Sequence, residues 1–184
     1  FCILDVRWGL QFAVDREKLV REVYRGFADV KPTFYGPDDP VYKELIDLIW
    51  ALGIGYNPDV AKKTIEDAMT KAGAVKGADG KWYYKGKPVT IIGIIRVEDE
   101  RLELGRYFAS VLGSLGFTVA PKELELGPAI ETVYGTNPVD FEWHFYTEGW
   151  GKGVLERWDP GGLTQFGSTL WGYAPGWLEA GYWQ

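Results

Sequence analysis

The second half of the sequence alternates between strand-like and helix-like segments, and this order constrains the fold more than any other feature. A hairpin pattern that turns near Lys85 and Gly86 leads into the apolar run "VTIIGII". Helical periodicity follows over about 99–115, and then come a strand at 117–124, a short helix at 127–135 and a strand at 140–147. This order predicts an α/β lobe whose mixed, largely parallel sheet is flanked by helices.

The first part of the chain shows helical periodicity instead. Two short helices are predicted within 6–26, a third helix over 41–53 and a fourth over 56–73. Asp15 and Asn57 precede helical segments and can accept hydrogen bonds from exposed amides, so we interpret them as caps. Tyr35 and Trp50 are interpreted as packing residues, because large aromatic side chains are usually covered.

Composition limits the functional classes. The net charge is -6 and the basic residues are scattered, so a nucleic-acid partner is not predicted. Cys2 and His144 are the only cysteine and the only histidine, too few for a Cys/His zinc site, and neither a metal nor a cofactor is predicted. Aromatic residues make up 16% of the chain, including nine tryptophans, which favours an aromatic-lined site for sugars, peptides or similar ligands.

One segment is the main candidate for that site. Residues 146–162, "YTEGWGKGVLERWDPGG", begin where a strand ends, and ligands gather beyond the carboxyl ends of parallel strands. The glycines match neither phosphate-loop template, so a nucleotide site is not predicted. The candidate ligand-binding residues are Glu148, Gly149, Trp150, Gly151, Trp158 and Asp159.

The residues alone leave two alternatives open. Strand alternation places Glu142, His144 and Glu148 on one face, which would suit a hydrolase, although the same pattern is typical of an exposed polar face. No G-x-S-x-G turn is present to expose a serine, and no catalytic residue is predicted. The second alternative is an interaction module, in which the aromatic segment after Trp158 docks on a partner protein. Trp150 and Trp158 fit a core position as well as a ligand contact.

Five segments form a recognisable series along the chain: "VRWGLQFAVDREKLVREVYRGFA", "YNPDVAKKTIEDAMTKAG", "GADGKWYYKGKPVTI", "LGRYFASVLGSLGFTV" and "DFEWHFYTEGWG". The first combines valine-arginine, an aromatic residue, "DREKL" and a closing glycine, and the last ends a strand on glycine-tryptophan. In this order they resemble the family 5 solute-binding proteins, which are the peptide-type binding components of ABC importers.

The resemblance implies one lobe of a two-lobed, non-enzymatic binding protein that closes around its ligand and delivers it to membrane permease subunits. It also implies an extracytoplasmic monomer, tethered to the membrane in its full-length form. Family members are several times longer, and the chain neither begins with Met nor ends at a natural boundary, so we expect part of a longer protein. Residues 1–158 would form the periplasmic-binding-protein-like lobe, and 159–184 would line the cleft or cross to the other lobe.

The sequence departs from the family pattern at one position. Peptide-binding members have an aspartate three residues after the strand-end tryptophan, where it pairs with the ammonium of the peptide. Gly153 occupies that position here, so Asp159 or Glu148 would have to replace it.

Two ligand classes are therefore expected. The family points to oligopeptides, whereas the tryptophans favour oligosaccharides, which some family members bind by stacking. In either case Trp150 would form a stacking or apolar wall, Gly149 and Gly151 would allow close backbone approach, and Asp159 would anchor polar groups.

Overall fold

The computed structural model describes residues 3–33 and 35–149. Cys2, Trp150, Gly151, Gly153, Trp158 and Asp159, together with the aromatic segment up to residue 184, lie outside the described residues. The predicted division at residue 158 lies outside them as well.

A parallel sheet forms the centre of the described fold. Strand β4 (Thr90–Arg96) lies between β5 (Thr118–Leu124) and β6 (Phe145–Tyr146), and both neighbours run parallel to it. Helix α5 (Arg101–Ser114) connects β4 to β5, and α6 (Leu126–Gly135) connects β5 to β6. The predicted α/β class and the alternating order are confirmed.

A separate antiparallel hairpin precedes this sheet. It consists of β1 (Val75–Lys76), β2 (Trp82–Tyr84) and β3 (Lys87–Pro88). Lys85 and Gly86 both have positive φ, 49° and 75°, as a two-residue turn of this kind requires, so the predicted turn is confirmed. The hairpin leads directly into β4 at its amino end.

The last predicted strand is shorter than expected. Residues 140–147 were expected to be extended, but a 3-10 turn occupies Pro138–Asp140, and only Phe145–Tyr146 form a strand. Phe141 lies between them with a φ of 52°, a left-handed conformation that interrupts an extended run. Backbone hydrogen bonds from His144 N to Ile92 O and from Thr147 N to Ile94 O still tie the flanking residues to β4.

The amino-terminal helices confirm the predicted caps. They are α1 (Leu4–Ala13), α2 (Arg16–Glu22), α3 (Tyr42–Ala51) and α4 (Pro58–Lys71). The Asp15 side chain accepts from the amide of Lys18 at 2.8 Å, and the Asn57 side chain accepts from the amide of Val60 at 3.1 Å. Each bond satisfies an amide that the first turn of a helix leaves unpaired.

Apolar side chains pack on both faces of the central strand β4. The larger cluster joins α1, α4, the hairpin and α5 to β4 through Val6, Leu10, Ile65, Trp82, Ile91, Leu112 and Phe117, among others. On the opposite face, Ile94 packs with Ala129 and Val133 of α6. Side chains alternate between the two faces along a strand, so Ile91 and Ile94, three residues apart, pack on opposite faces of β4.

Helix α3 does not follow its predicted packing. Trp50 is 72% exposed, so its interpretation as a packing residue is wrong, whereas the same interpretation of Tyr35 is confirmed. Leu48 and Leu52 are exposed as well, and Ile49 is the one buried residue within α3. The predicted helix is present, but its one buried residue, Ile49, belongs to neither core cluster.

Gly9 permits the close packing of α1 on α4, and its replacement provides a test of the core. A Cβ at Gly9 would lie 2.7 Å from Ile65 Cγ1, whereas one at Gly113 in α5 would meet nothing within 4 Å. Gly9→Ala should lower the free energy of unfolding, since overpacking costs about 1–3 kcal/mol and improved helix propensity returns about 1 kcal/mol or less. Gly113→Ala, the matched control, should stabilise by about 0.5–1 kcal/mol. Urea unfolding measures both, and equal or greater stability for Gly9→Ala would contradict the packing.

Candidate functional site

The candidate site lies at the carboxyl edge of the parallel sheet. Strand β4 ends at Arg96 and β6 ends at Tyr146, and the two strands are direct neighbours. Residues 97–101 and 147–149 therefore leave the sheet side by side. The first segment reads "VEDER" and carries four charged residues, and the second contributes Glu148.

Arg96 is the centre of this edge. Its side chain is only 10% exposed, and it donates from Nε to Glu98 Oε2 and from Nη1 to Glu148 Oε1, both at 3.0 Å. Its backbone amide donates to Thr147 Oγ1 at 2.9 Å. Burial of a guanidinium is tolerated when carboxylates surround it, and here the carboxylates come from both strand exits.

Glu148 has three hydrogen-bond donors around its carboxylate. Besides Arg96, the Tyr146 hydroxyl donates to Oε2 at 2.7 Å and the Gly149 amide donates to Oε1 at 2.8 Å. The Glu148 side chain is 18% exposed. Burial raises the pKa of the Tyr146 phenol, and the bond to the Glu148 carboxylate adds to this shift.

Glu98 extends the network to α6. Its Oε1 accepts from the Leu126 amide, the first residue of that helix, at 2.6 Å. This bond and the neighbouring Arg96 guanidinium lower the pKa of Glu98, with the backbone bond as the larger cause. A carboxylate beside the first turn of a helix also interacts favourably with the positive end of the helix dipole.

Arg101 supplies a second cation at the first residue of α5. It pairs with Asp99, and its Nε lies 3.9 Å from Glu148 Oε1. Among the described residues, that Nε is one of two buried side-chain nitrogen or oxygen atoms without a hydrogen-bond partner. Gly149 lies against the guanidinium, because a Cβ there would be 2.5 Å from Arg101 Nη2. A larger residue at position 149 would displace Arg101.

The predicted site residues thus have unequal outcomes. Glu148 and Gly149 lie together at the strand ends, and the roles predicted for them in ligand binding stay predictions. The other four candidates, Trp150, Gly151, Trp158 and Asp159, fall outside the described residues. Arg96 and Arg101 were missed. Their signal was the run "RVEDER", which begins at the last residue of a buried strand and places several opposite charges close together.

The three residues of the hydrolase alternative have separate structural partners. Glu142 is exposed and pairs with Lys122 at 3.4 Å. His144 Nδ1 accepts from the Ile92 amide at 2.9 Å, and burial lowers the pKa of this imidazole. Glu148 is bonded to Arg96. An imidazole whose Nδ1 accepts from a backbone amide is held by β4, so this face gives the hydrolase alternative no support.

Within residues 3–33 and 35–149, no group of three or more His, Cys, Asp or Glu residues is placed to hold a metal ion. In the same ranges, no helix is both long enough and apolar enough to cross a bilayer.

Residues 1–169 match the family described as bacterial extracellular solute-binding proteins, family 5, middle region. The chain belongs to this family. Its members are extracellular solute-binding proteins. The resemblance seen in the five sequence segments is confirmed. A search of curated proteins finds no match.

Solved structures of similar fold agree with this assignment. NikZ from Campylobacter jejuni, in complex with Ni(L-His), has a TM-score of 0.58 at 22% identity, over 89% of this chain and 29% of NikZ. AppA from Bacillus subtilis, an oligopeptide-binding protein in complex with a nonapeptide, has a TM-score of 0.56 at 22% identity, over 79% of this chain and 27% of AppA. A periplasmic oligopeptide-binding protein from Thermotoga maritima, bound to mannohexaose, has a TM-score of 0.59 at 20% identity, over 71% of this chain and 24% of the Thermotoga protein. The matches thus span less than a third of these proteins, and at such identities they establish the fold.

Glu98 gives the site a predicted pH dependence. Its pKa in the folded protein lies below the ordinary value of 4.5, so its contribution to stability is complete above that pH and is lost as pH falls through the folded pKa. Glu98→Gln should lower the free energy of unfolding at pH 7, and its difference from the wild type should shrink below pH 4.5. Urea unfolding between pH 2.5 and pH 7 measures this difference. A difference that stays constant with pH would contradict the assigned interaction.

Proposed function

We propose that this chain is part of the solute-binding component of an ABC importer. The protein binds an oligopeptide or an oligosaccharide between two lobes and delivers it to permease subunits in the membrane. Residues 1–158 contribute one lobe, and 159–184 line the cleft or lead to the other lobe. The protein acts outside the cytoplasm, is tethered to the membrane in its full-length form, and carries out no chemistry on the ligand.

The observation that carries the proposal is the position of residues 147–149. They leave the carboxyl end of β6 beside the carboxyl end of β4, which is the edge where open α/β sheets bind ligands. The family membership supports the same reading. Trp150, the next residue in the chain, would then provide a stacking wall, while Gly149 and Gly151 keep the backbone accessible. Hinge closure of the second lobe would bury the ligand against this edge.

Both ligand classes have support among similar structures. AppA was solved with a nonapeptide and the Thermotoga maritima protein with mannohexaose. The tryptophans of this chain and the glycine at position 153 favour the sugar, because stacking requires no ammonium partner. If a peptide is the ligand, Asp159 is the proposed partner of its ammonium group, and Trp158 covers its apolar side chains.

A thermal-shift screen of the full-length protein tests this function. Manno- and cello-hexaose form one arm, and a set of oligopeptides, each free and N-acetylated, forms the other. At least one arm should raise the melting temperature, and Trp150→Ala should weaken that binding by about tenfold or more, the size of a lost stacking contact of about 1.4 kcal/mol. Trp50→Ala is the matched control, because that tryptophan lies exposed on α3.

The same screen separates the ligand classes and the rivals. Loss of peptide binding on N-acetylation or in Asp159→Asn would identify an ammonium anchor, whereas binding of neutral hexaoses identifies a sugar site. No shift with either class overturns the solute-binding proposal. Cleavage of a bound hexaose or peptide would instead establish a hydrolase.

A further inference from the structure

We propose that Arg96, Tyr146 and Glu148 form a strand-end clamp, which positions the ligand-contacting segment that follows it. Glu148 is then a positioning residue and leaves ligand contact to its neighbours. The inference rests on the proposed function for the ligand, but the clamp itself is a property of the fold. It changes the role assigned to Glu148 on sequence grounds, where it was a candidate ligand contact and a substitute ammonium partner.

The first argument is the acceptor capacity of Glu148. A carboxylate offers roughly four lone-pair positions to donors. Arg96 and the Gly149 amide use Oε1, and the Tyr146 hydroxyl uses Oε2. Arg101 also lies 3.9 Å from Oε1. The protein's own donors thus use three of the four positions and leave one, on Oε2, so Glu148 offers a ligand little of its acceptor capacity.

The second argument is how little else holds this part of the chain. Strand β6 has only two residues, and its last backbone bond to β4 runs from Thr147 N to Ile94 O. Beyond that bond, the described residues hold the exit through three hydrogen bonds, Arg96 N to Thr147 Oγ1, Arg96 Nη1 to Glu148 and Tyr146 to Glu148, and through the longer Arg101–Glu148 ion pair at 3.9 Å. The clamp therefore accounts for most of what holds residues 147–149 to β4.

The third argument is burial. The Arg96 and Glu148 side chains are 10% and 18% exposed, whereas Arg106 and Glu123, a pair that links α5 to β5, are 58% and 36% exposed. Removing one partner of a buried pair leaves the other charge uncompensated, while an exposed pair contributes little. The fold thus offers a buried Arg-Glu pair that can fix the backbone and an exposed Arg-Glu pair that serves as a control.

Hydrogen exchange of the ligand-free, full-length protein tests the clamp without a ligand. Arg96→Gln and Glu148→Gln should accelerate exchange of the amides in 144–149 by about tenfold, a loosening of about 1.4 kcal/mol. Tyr146→Phe, which keeps the ring and loses the hydroxyl, should give a smaller acceleration, and Arg96→Lys should restore part of the protection. Arg106→Gln, the matched control, should leave these amides within twofold of the wild type. Unchanged exchange in Glu148→Gln and Tyr146→Phe overturns the clamp.

A double-mutant cycle on affinity tests positioning against contact, using whichever hexaose or peptide binds the wild type. Arg96→Gln and Glu148→Gln should each weaken binding by a similar factor, about tenfold, and the double variant should be no worse than either, because both break one unit. A large loss in Glu148→Gln with normal binding in Arg96→Gln makes Glu148 a ligand contact and overturns the positioning role. If the wild type binds neither class, the proposed function and the positioning of a ligand both fail, while the exchange experiment still decides whether the clamp exists.

Discussion

The structure depends most on the pairing of a buried arginine at the end of its central strand. Arg96 has little contact with solvent, so its charge requires carboxylates nearby. Glu98 and Glu148 provide them from different directions. Glu98 also caps the start of α6, and Glu148 also accepts from Tyr146 and Gly149. The Arg96 guanidinium thereby links the segment after β4, the segment after β6 and the start of α6.

The two faces of the sheet explain why this pairing occurs at the edge. Along β4, Ile91 faces the large cluster with α1, α4 and α5, and Ile94 faces α6. Arg96 lies two residues after Ile94 and therefore points to the same face of β4, the face that α6 covers. As the last residue of the strand, it lies where this layer ends and the loops begin. Gly93 leaves room on the other face for the Phe145 ring, which packs edge-on against Phe108 at 5.0 Å. The apolar layers thus hold the strands in place, and the charged network around Arg96 positions the segments that follow β4 and β6.

Much of the fold could be predicted from the sequence, because the residues that specify it act on near neighbours in the chain. Asn57 as a cap and Lys85-Gly86 as a turn each act within a few residues, and the strand-helix alternation gave the parallel sheet. The Arg96–Glu148 bond joins residues 52 positions apart, which no periodicity reports. The exposure of Trp50 depends on what surrounds α3, and the left-handed Phe141 that shortens β6 is not a residue type expected there. The family resemblance predicted a site at this strand end, but it could not reveal that Glu148 is already bonded.

A solute-binding lobe needs a rigid edge that presents a chain segment to the ligand, and the charged network at the ends of β4 and β6 suits that task. The most direct measurement is a crystal structure of the full-length protein with a hexaose or peptide bound. The account predicts ligand in van der Waals contact with residues 149–151, and Glu148 still bonded to Arg96 and Tyr146. Ligand bound at the hairpin end of the sheet, or bonded directly to a Glu148 released from Arg96, would contradict it.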